Sequence, residues 1–434
     1  MTAACSLASR PLWRQMSMTT QQSAAAGSLA GVRVLELSNS IGQWCGKLMA
    51  DFGADVVKIE PPAGVAERQI GPFYKDVEDP NRSLYFWHYN TSKKSVTLDL
   101  TQEEGRELFR RLARTADVIL ETMPPGALAA LGLGYESLAA ENPGLIMCSL
   151  TDFGQEGPWA GYQMTDMLHL AAGGQMAACG YDEVDDPERR PIAPGGGNGY
   201  HMGAHYAYIA TMAALYYRSV SGEGQHLDVS AHDSAALTTE MHVPNWIYTH
   251  QVVQRQTGRH AGVRPTAPSQ IPTGDGRYVN MGGGLSSSFR AFVEVMAEAG
   301  QAGDLEDFKY LDPEVMQANT DHIRGQIAAF VKTVPAEVSF VAAQEIAGMP
   351  WGVVRAPDDL LEDVHFRERG FFIDVEHPEL GETFTYPGAG AVFSATPQNI
   401  YRRAPLIGED NADVLGSVGI DAARLAQLRA AGVV

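Results

Sequence analysis

Cysteine, positive charge and long apolar runs are all scarce in this chain. Its 434 residues include four cysteines, Cys5, Cys45, Cys148 and Cys179, widely spaced and with no C-x-x-C pair. That spacing excludes a disulfide framework and fits ordinary thiols of a reducing compartment. Lys and Arg total 32 against 52 Asp and Glu, a net charge of −20. The balance argues against nucleic acid or an anionic membrane as partner. An anionic small ligand would need a local basic cluster working against the field of the whole protein. No apolar run approaches the ~18 residues of a membrane-spanning helix. The stretch before residue 27 has no acidic residue, carries Arg10 and Arg14, and is rich in Ser, Thr and Ala. Such a composition permits an organellar transit peptide. Met16 and Met18 both precede the first patterned segment, and residues 1–26 are read as a disordered extension of a cytoplasmic protein.

What the chain does have begins at Leu29. Val32, Val34, Leu35 and Leu37 form the short β-branched and apolar run of a strand buried in a parallel sheet. Leu48, Met49 and Phe52 recur at helical spacing, Gly53 is placed to end that helix, and Val56, Val57 and Ile59 supply a second strand. This βαβ unit opens an α/β, doubly wound, Rossmann-like domain, which binds ligands at the strand carboxyl ends. Further strands are expected at 96–100, 118–120, 145–150 and 227–230, with a helix from Thr101 to Arg114. Tyr200 to Tyr217 is apolar nearly all round and is expected to be a buried helix. The domain reading is 27–235 for the first part of the large domain, 236–272 for a linker, 273–345 for a smaller α+β domain and 346–434 for a return to the large domain. The turn SNSIGQWCG lacks G-x-G-x-x-G, which argues against a nicotinamide-dependent dehydrogenase. His201 and His205 share a helix face at the spacing of a metal pair, but no H-E-x-x-H and no convincing third ligand accompany them, so no metal is expected.

The wording of these segments carries more than their pattern. Residues 29–62, NTSKKSVTLDL at 90–100, ADVILETMPPGALAALGLGYESLAAENPGLI at 116–146 and FGQEGPWAGYQMTDMLHLAAGG at 153–174 are followed by SGEGQHLDVSAHD at 221–233, TGDGRYVNMGGG at 273–284, VHFRERGFF at 364–372 and APLIGEDN at 404–411. In this order they closely resemble the family III CoA-transferases, the group of formyl-CoA transferase, carnitine CoA-transferase and α-methylacyl-CoA racemase. The resemblance covers nearly the whole chain from about Gly27. It implies two chains threaded through each other as an interlocked dimer, and CoA or acyl-CoA as substrate with no permanently bound cofactor.

The resembled chemistry is CoA transfer between carboxylic acids by an aspartate that forms first an anhydride and then a thioester. Gly282, Gly283 and Gly284, after the strand YVNM, match the family's glycine loop, whose backbone N–H groups can stabilise the oxyanions. Lys93 and Lys94 match a basic pair that reaches the nucleotide phosphates. Thr122 and Met123 match a pair beside the cofactor, and Gly42 a turn glycine near the pantetheine. The arginine that often follows the second strand is Pro61 here, and a later basic position is Ala130. The nucleophile is the main departure. Counting back from Ala213-Ala214-Leu215 and Arg218 places it within 197–201, and no Asp or Glu lies between Arg190 and Glu223. Asp166 is the best remaining carboxylate, with a plain helix-start reading beside it. The racemase branch needs a His where Thr165 stands, which argues against that activity.

Two readings stay open. One is a transferase whose carboxylate comes from Asp166 or elsewhere. The other is a non-catalytic subunit paired with an Asp-bearing paralogue, as in succinyl-CoA:benzylsuccinate CoA-transferase. Partners are an acyl-CoA and a small carboxylic acid. Tyr85, Phe86, Trp87 and Tyr89 either line an acyl pocket or are plain core.

Overall fold

The computed structural model describes residues 27–182, 188, 190–239, 241–282 and 289–434. In chain order the first unit is β1 (Arg33–Leu37), α1 (Gln43–Asp51), β2 (Asp55–Glu60), α2 (Leu84–Tyr89), β3 (Lys94–Thr97), α3 (Glu103–Ala113), β4 (Val118–Glu121), α4 (Ala127–Ala130), α5 (Tyr135–Ala139), β5 (Ile146–Thr151), α6 (Asp166–Ala172), α7 (Asn198–Ser221), β6 (His226–Ser230), α8 (Ala231–Leu237) and α9 (His242–Thr249). The strands pair in parallel in the order β3-β2-β1-β4-β5-β6, the doubly wound arrangement. Successive strand residues point to opposite faces, so the continuous apolar runs serve two cores at once. Val34, Val56, Val118 and Ile146 pack with Met49 of α1 and with Ala204 and Ala207 of α7. Leu35, Val57, Ile119 and Met147 face the other way, onto Leu108, Phe109 and Leu112 of α3 and onto Leu415 and Leu428 near the C-terminus.

A second core lies in 271–353, where β7 (Gln270–Pro272), β8 (Tyr278–Met281) and β9 (Trp351–Val354) form an antiparallel sheet. Helices Phe289–Glu298 and Thr320–Val331 cover it with Phe292, Ile323 and Phe330. The stretch 236–272, read above as a linker, carries α9 and β7. An antiparallel hairpin, β10 (Phe372–His377) with β11 (Glu382–Pro387), packs Val375 and Tyr386 on Phe86 and Trp87 of α2. The chain then returns to the first sheet. At the open edge of β3, Ser95 N–H donates to Asp410 Oδ2 and Thr97 N–H to Asn411 Oδ1, both at 2.9 Å. These side chains occupy backbone groups that would otherwise offer an edge for strand pairing.

One expectation is corrected. α7 is not buried all round. Gly199, Gly203, Ala204, Ala207, Thr211 and Ala214 are buried, whereas Ile209, Tyr216, Tyr217 and Val220 are exposed. The small residues let α7 approach α1 and the sheet closely; among the described residues the large ones on the other side find nothing to cover them.

Candidate functional site

The order of strands reverses between β1 and β4, so the loops that leave them diverge and open a crevice. A cleft of about 520 Å³ lies there, lined by Ser38 and Asn39 after β1, Leu98 to Thr101 after β3, and Thr122 and Met123 after β4. A pocket of about 260 Å³ adjoins it, sharing Asn39, Thr122 and Met123 and reaching Thr151 and Asp152 at the end of β5. Thr122 Oγ1 accepts the Asn39 N–H at 2.9 Å and ties the two lips together. Gly42 starts α1 beside this contact. A Cβ there would lie 2.6 Å from Thr122 Cγ2 and 2.9 Å from Ser38 Cβ, so only glycine lets the helix start so close to β4. Glu67 holds the outer lip by accepting the Ser40 N–H at 2.9 Å.

Thr122, Met123 and Gly42 therefore gather at this crevice; Lys93 and Lys94 do not. Lys93 is fully buried, and its Nζ lies 2.8 Å from Glu36 Oε2 and donates to the Gln43 carbonyl and to Asn90 Oδ1. Lys58 joins the same carboxylate at 3.0 Å. Lys94 opens β3, at the amino end of the sheet, and pairs with Asp55 at 2.9 Å. The expectation of a basic pair facing phosphates is corrected by these placements. The reason is local: Glu36 on β1 draws one ammonium into the interior, and the strand carries the other to the far end. Burial brings the Lys93 ammonium down to about 8 despite Glu36.

Asn198, Gly199, Tyr200 and His201, four of the five positions where a nucleophile is expected, form the first turn of α7 against the start of α6. The Tyr200 N–H donates to Asp166 Oδ1 at 3.0 Å, so one oxygen of the Asp166 carboxylate satisfies an orphan amide of that helix. Neither the cleft nor its adjoining pocket is lined by Asp166. His201 Nε2 meets the Tyr89 hydroxyl at 3.0 Å, and its ring stacks on Trp44 at 4.8 Å. Burial lowers the His201 imidazole and lifts the Tyr89 phenol to about 12, so the phenol donates to a neutral ring. His205 donates to the His201 carbonyl and accepts from Trp44, which occupies both ring nitrogens. Of the four aromatics of α2, Phe86 and Trp87 are core, and Tyr85 and Tyr89 face α1 and α7.

Gly282 ends β8 and lines neither cavity. Its N–H donates to the Pro350 carbonyl, and a Cβ would lie 2.2 Å from that oxygen, so glycine is required by close approach. Gly283 and Gly284 lie outside the described residues. Two groups escape sequence reasoning. Leu98 to Thr101 line the cleft inside a segment singled out for its lysines. Asp152 lines the smaller pocket with both oxygens held: Oδ1 lies 2.9 Å from His169 Nε2, and Oδ2 accepts the Met164 N–H at 3.0 Å.

Residues 29–411 match the model of CoA-transferase family III. The chain belongs to that family. It is 34% identical to the succinyl-CoA–D-citramalate CoA-transferase of Chloroflexus aurantiacus, over 94% of this chain and 98% of that one. It is 30% identical to subunit BbsE of the succinyl-CoA:(R)-benzylsuccinate CoA-transferase of Thauera aromatica, over 93% and 97%. The crystal structure of a CaiB/BaiF family protein from Brucella suis superposes with a TM-score of 0.76 at 28% identity, covering 91% of this chain and all of that one. No helix among the described residues is long and apolar enough to cross a membrane.

Proposed function

We propose that this family III member transfers CoA from succinyl-CoA to a small carboxylic acid. The observation that carries the reading is the crevice at the strand carboxyl ends, a cleft that shares Asn39, Thr122 and Met123 with a smaller pocket that has a carboxylate in its wall. Such a shape suits a ligand with an extended nucleotide-bearing arm and a short acyl end. Relatives named as succinyl-CoA-dependent transferases suggest succinyl-CoA as the donor. In this reading Gly42, Thr122 and Met123 border the arm, the chemistry needs no resident cofactor, and the compartment is the cytoplasm, in keeping with the buried free thiols of Cys45 and Cys148.

The working unit is a dimer. Support comes from the exposed apolar side chains of α7 and α9, among them Tyr216, Val220, Trp246 and Tyr248, and from Gly282 lining neither the cleft nor the pocket of its own chain. A second chain would cover the first and bring its own glycine loop to the site. A heteromer is the second reading, favoured by one observation: 197–201 holds no carboxylate. In that case the partner is an Asp-bearing paralogue.

The test is to incubate the purified chain with succinyl-CoA and a panel of citramalate, glutarate, mesaconate, malate and benzylsuccinate, and to follow new thioesters by mass spectrometry. Exchange by the chain alone supports the self-sufficient enzyme. Exchange only with a paralogue supports the heteromer. No new thioester under either condition refutes the transferase reading.

A further inference from the structure

Asp152 is the carboxylate that the sequence motif does not assign and the geometry singles out. It follows β5 directly, at the carboxyl end of the sheet, and it is the only acidic residue lining the smaller pocket. Other carboxylates around the crevice are engaged elsewhere. Glu60 is clamped by Arg68 through two 2.7 Å bonds, Glu67 holds the Ser40 turn, and Asp99, which also lines the larger cleft, accepts the Thr101 N–H and the Gln102 Nε2–H, each at 2.9 Å. Asp152 has no Lys or Arg partner among the described residues. Its neighbours are one backbone N–H and the Nε2 of His169, a fully buried ring on α6 whose Nδ1 has no hydrogen-bond partner among the described residues. With Nδ1 unpaired, the ring proton belongs on Nε2, where it is donated to Asp152. Each oxygen thus accepts one hydrogen bond and keeps a further lone pair. The side chain is fixed in orientation and remains about one quarter exposed.

Asp152 also adjoins the turn where the resemblance expects a nucleophile. His169 is one turn beyond Asp166 on α6, and its ring lies 6.1 Å from that of Tyr200. A Cβ on Gly199 would come within 3.1 Å of His169 Cβ. The Tyr200 phenol, raised first by burial, is raised next by the charge of Asp152. His169 thus lies between Asp152, at the end of β5, and the start of α7.

We propose that Asp152 is the nucleophile of CoA transfer in this chain, oriented by His169. The proposal rests on the transferase reading above. An Asp152 oxygen attacks the thioester carbonyl carbon and the C–S bond breaks, giving an aspartyl–acyl anhydride and CoA thiolate. The thiolate attacks the Asp152 carbonyl carbon, the bond to the acyl carboxylate breaks, and the first acid leaves with an Asp152–CoA thioester behind. The acceptor carboxylate attacks that thioester, releasing thiolate and forming a second anhydride. Thiolate attack on the acceptor's carbonyl carbon then yields the new acyl-CoA and restores the Asp152 carboxylate. A carboxylate serves because both its acyl derivatives are reactive enough to turn over.

The test traps the intermediate. The full chain is mixed with succinyl-CoA, quenched with borohydride, which reduces an aspartyl thioester to homoserine, and sequenced by mass spectrometry. The expected result is homoserine at 152, lost in Asp152→Asn, a variant of the same size that keeps one acceptor oxygen for the Met164 N–H. Modification at Asp166 or elsewhere overturns the proposal. So does the absence of any modification when calorimetry shows that succinyl-CoA binds, and that outcome leaves the transferase reading to a partner chain. Absence of binding by succinyl-CoA removes both.

Discussion

Glu36, Lys58 and Lys93 form a charged group with no access to water, on adjacent parts of β1, β2 and the start of β3. Removing the one anion would strand two ammonium groups in the interior. Glu36→Gln is expected to destabilise the chain by about 3–5 kcal/mol, measured by urea unfolding. The group also has a signature in alkali. Burial lowers Lys93 to about 8 from an ordinary 10.5, so between those values the unfolded chain binds more protons than the folded one. Stability from this residue therefore rises as pH goes from about 8 toward 10.5. Lys93→Met should flatten that rise relative to the parent, and equal slopes in the two proteins would refute the assignment. Burial also pushes the Glu36 carboxyl up, but Lys58 and Lys93 outweigh it and hold the group low, so its contribution is lost only in acid. None of this is visible in the dipeptide Lys93-Lys94, which by resemblance reads as a phosphate-facing pair. Its fate is set by a carboxylate 57 residues away. Asp152 escapes for the same reason: it becomes notable only once His169, 17 residues on, is seen behind it.

At the level of elements, β1, α1 and β2 are legible because strands buried on both faces must be apolar throughout, and their pattern is dictated locally. The start of α7 is not. Its first turn has no acidic residue and no side-chain cap of its own, and Asp166 reaches across from α6 to take the Tyr200 N–H. Asp166→Ala should cost about 1 kcal/mol of stability by thermal or urea unfolding, and Asp166→Asn, which keeps an acceptor oxygen, should cost less. Equal losses in the two variants would mean that charge, not the hydrogen bond, holds the turn. Gly282 belongs to the same class of features. The motif marks it as a glycine, but only the Pro350 carbonyl beside it explains why a larger residue would not fit.

For the whole molecule, the composition of α7 predicts burial and the isolated chain leaves Tyr216 76% and Val220 78% exposed, with Trp246 of α9 at 54%. Periodicity records that a face is apolar, not which chain covers it. Under the proposed dimer, Val220→Asp and Trp246→Asp should shift the mass from dimer toward monomer in light scattering and lower exchange activity in parallel. A parent that is already monomeric would refute the dimer. The return of the chain to the edge of β3 has a consequence for how the protein is made. Thr97 waits for Asn411, 314 residues later, before its amide is covered. At a synthesis rate of about 5–20 residues per second, that strand edge stays open on the ribosome for about 15–60 s. The nascent chain is thus exposed to strand-pairing with its neighbours for most of its synthesis, and the yield of folded protein in a cell becomes a matter of translation speed and chaperone supply.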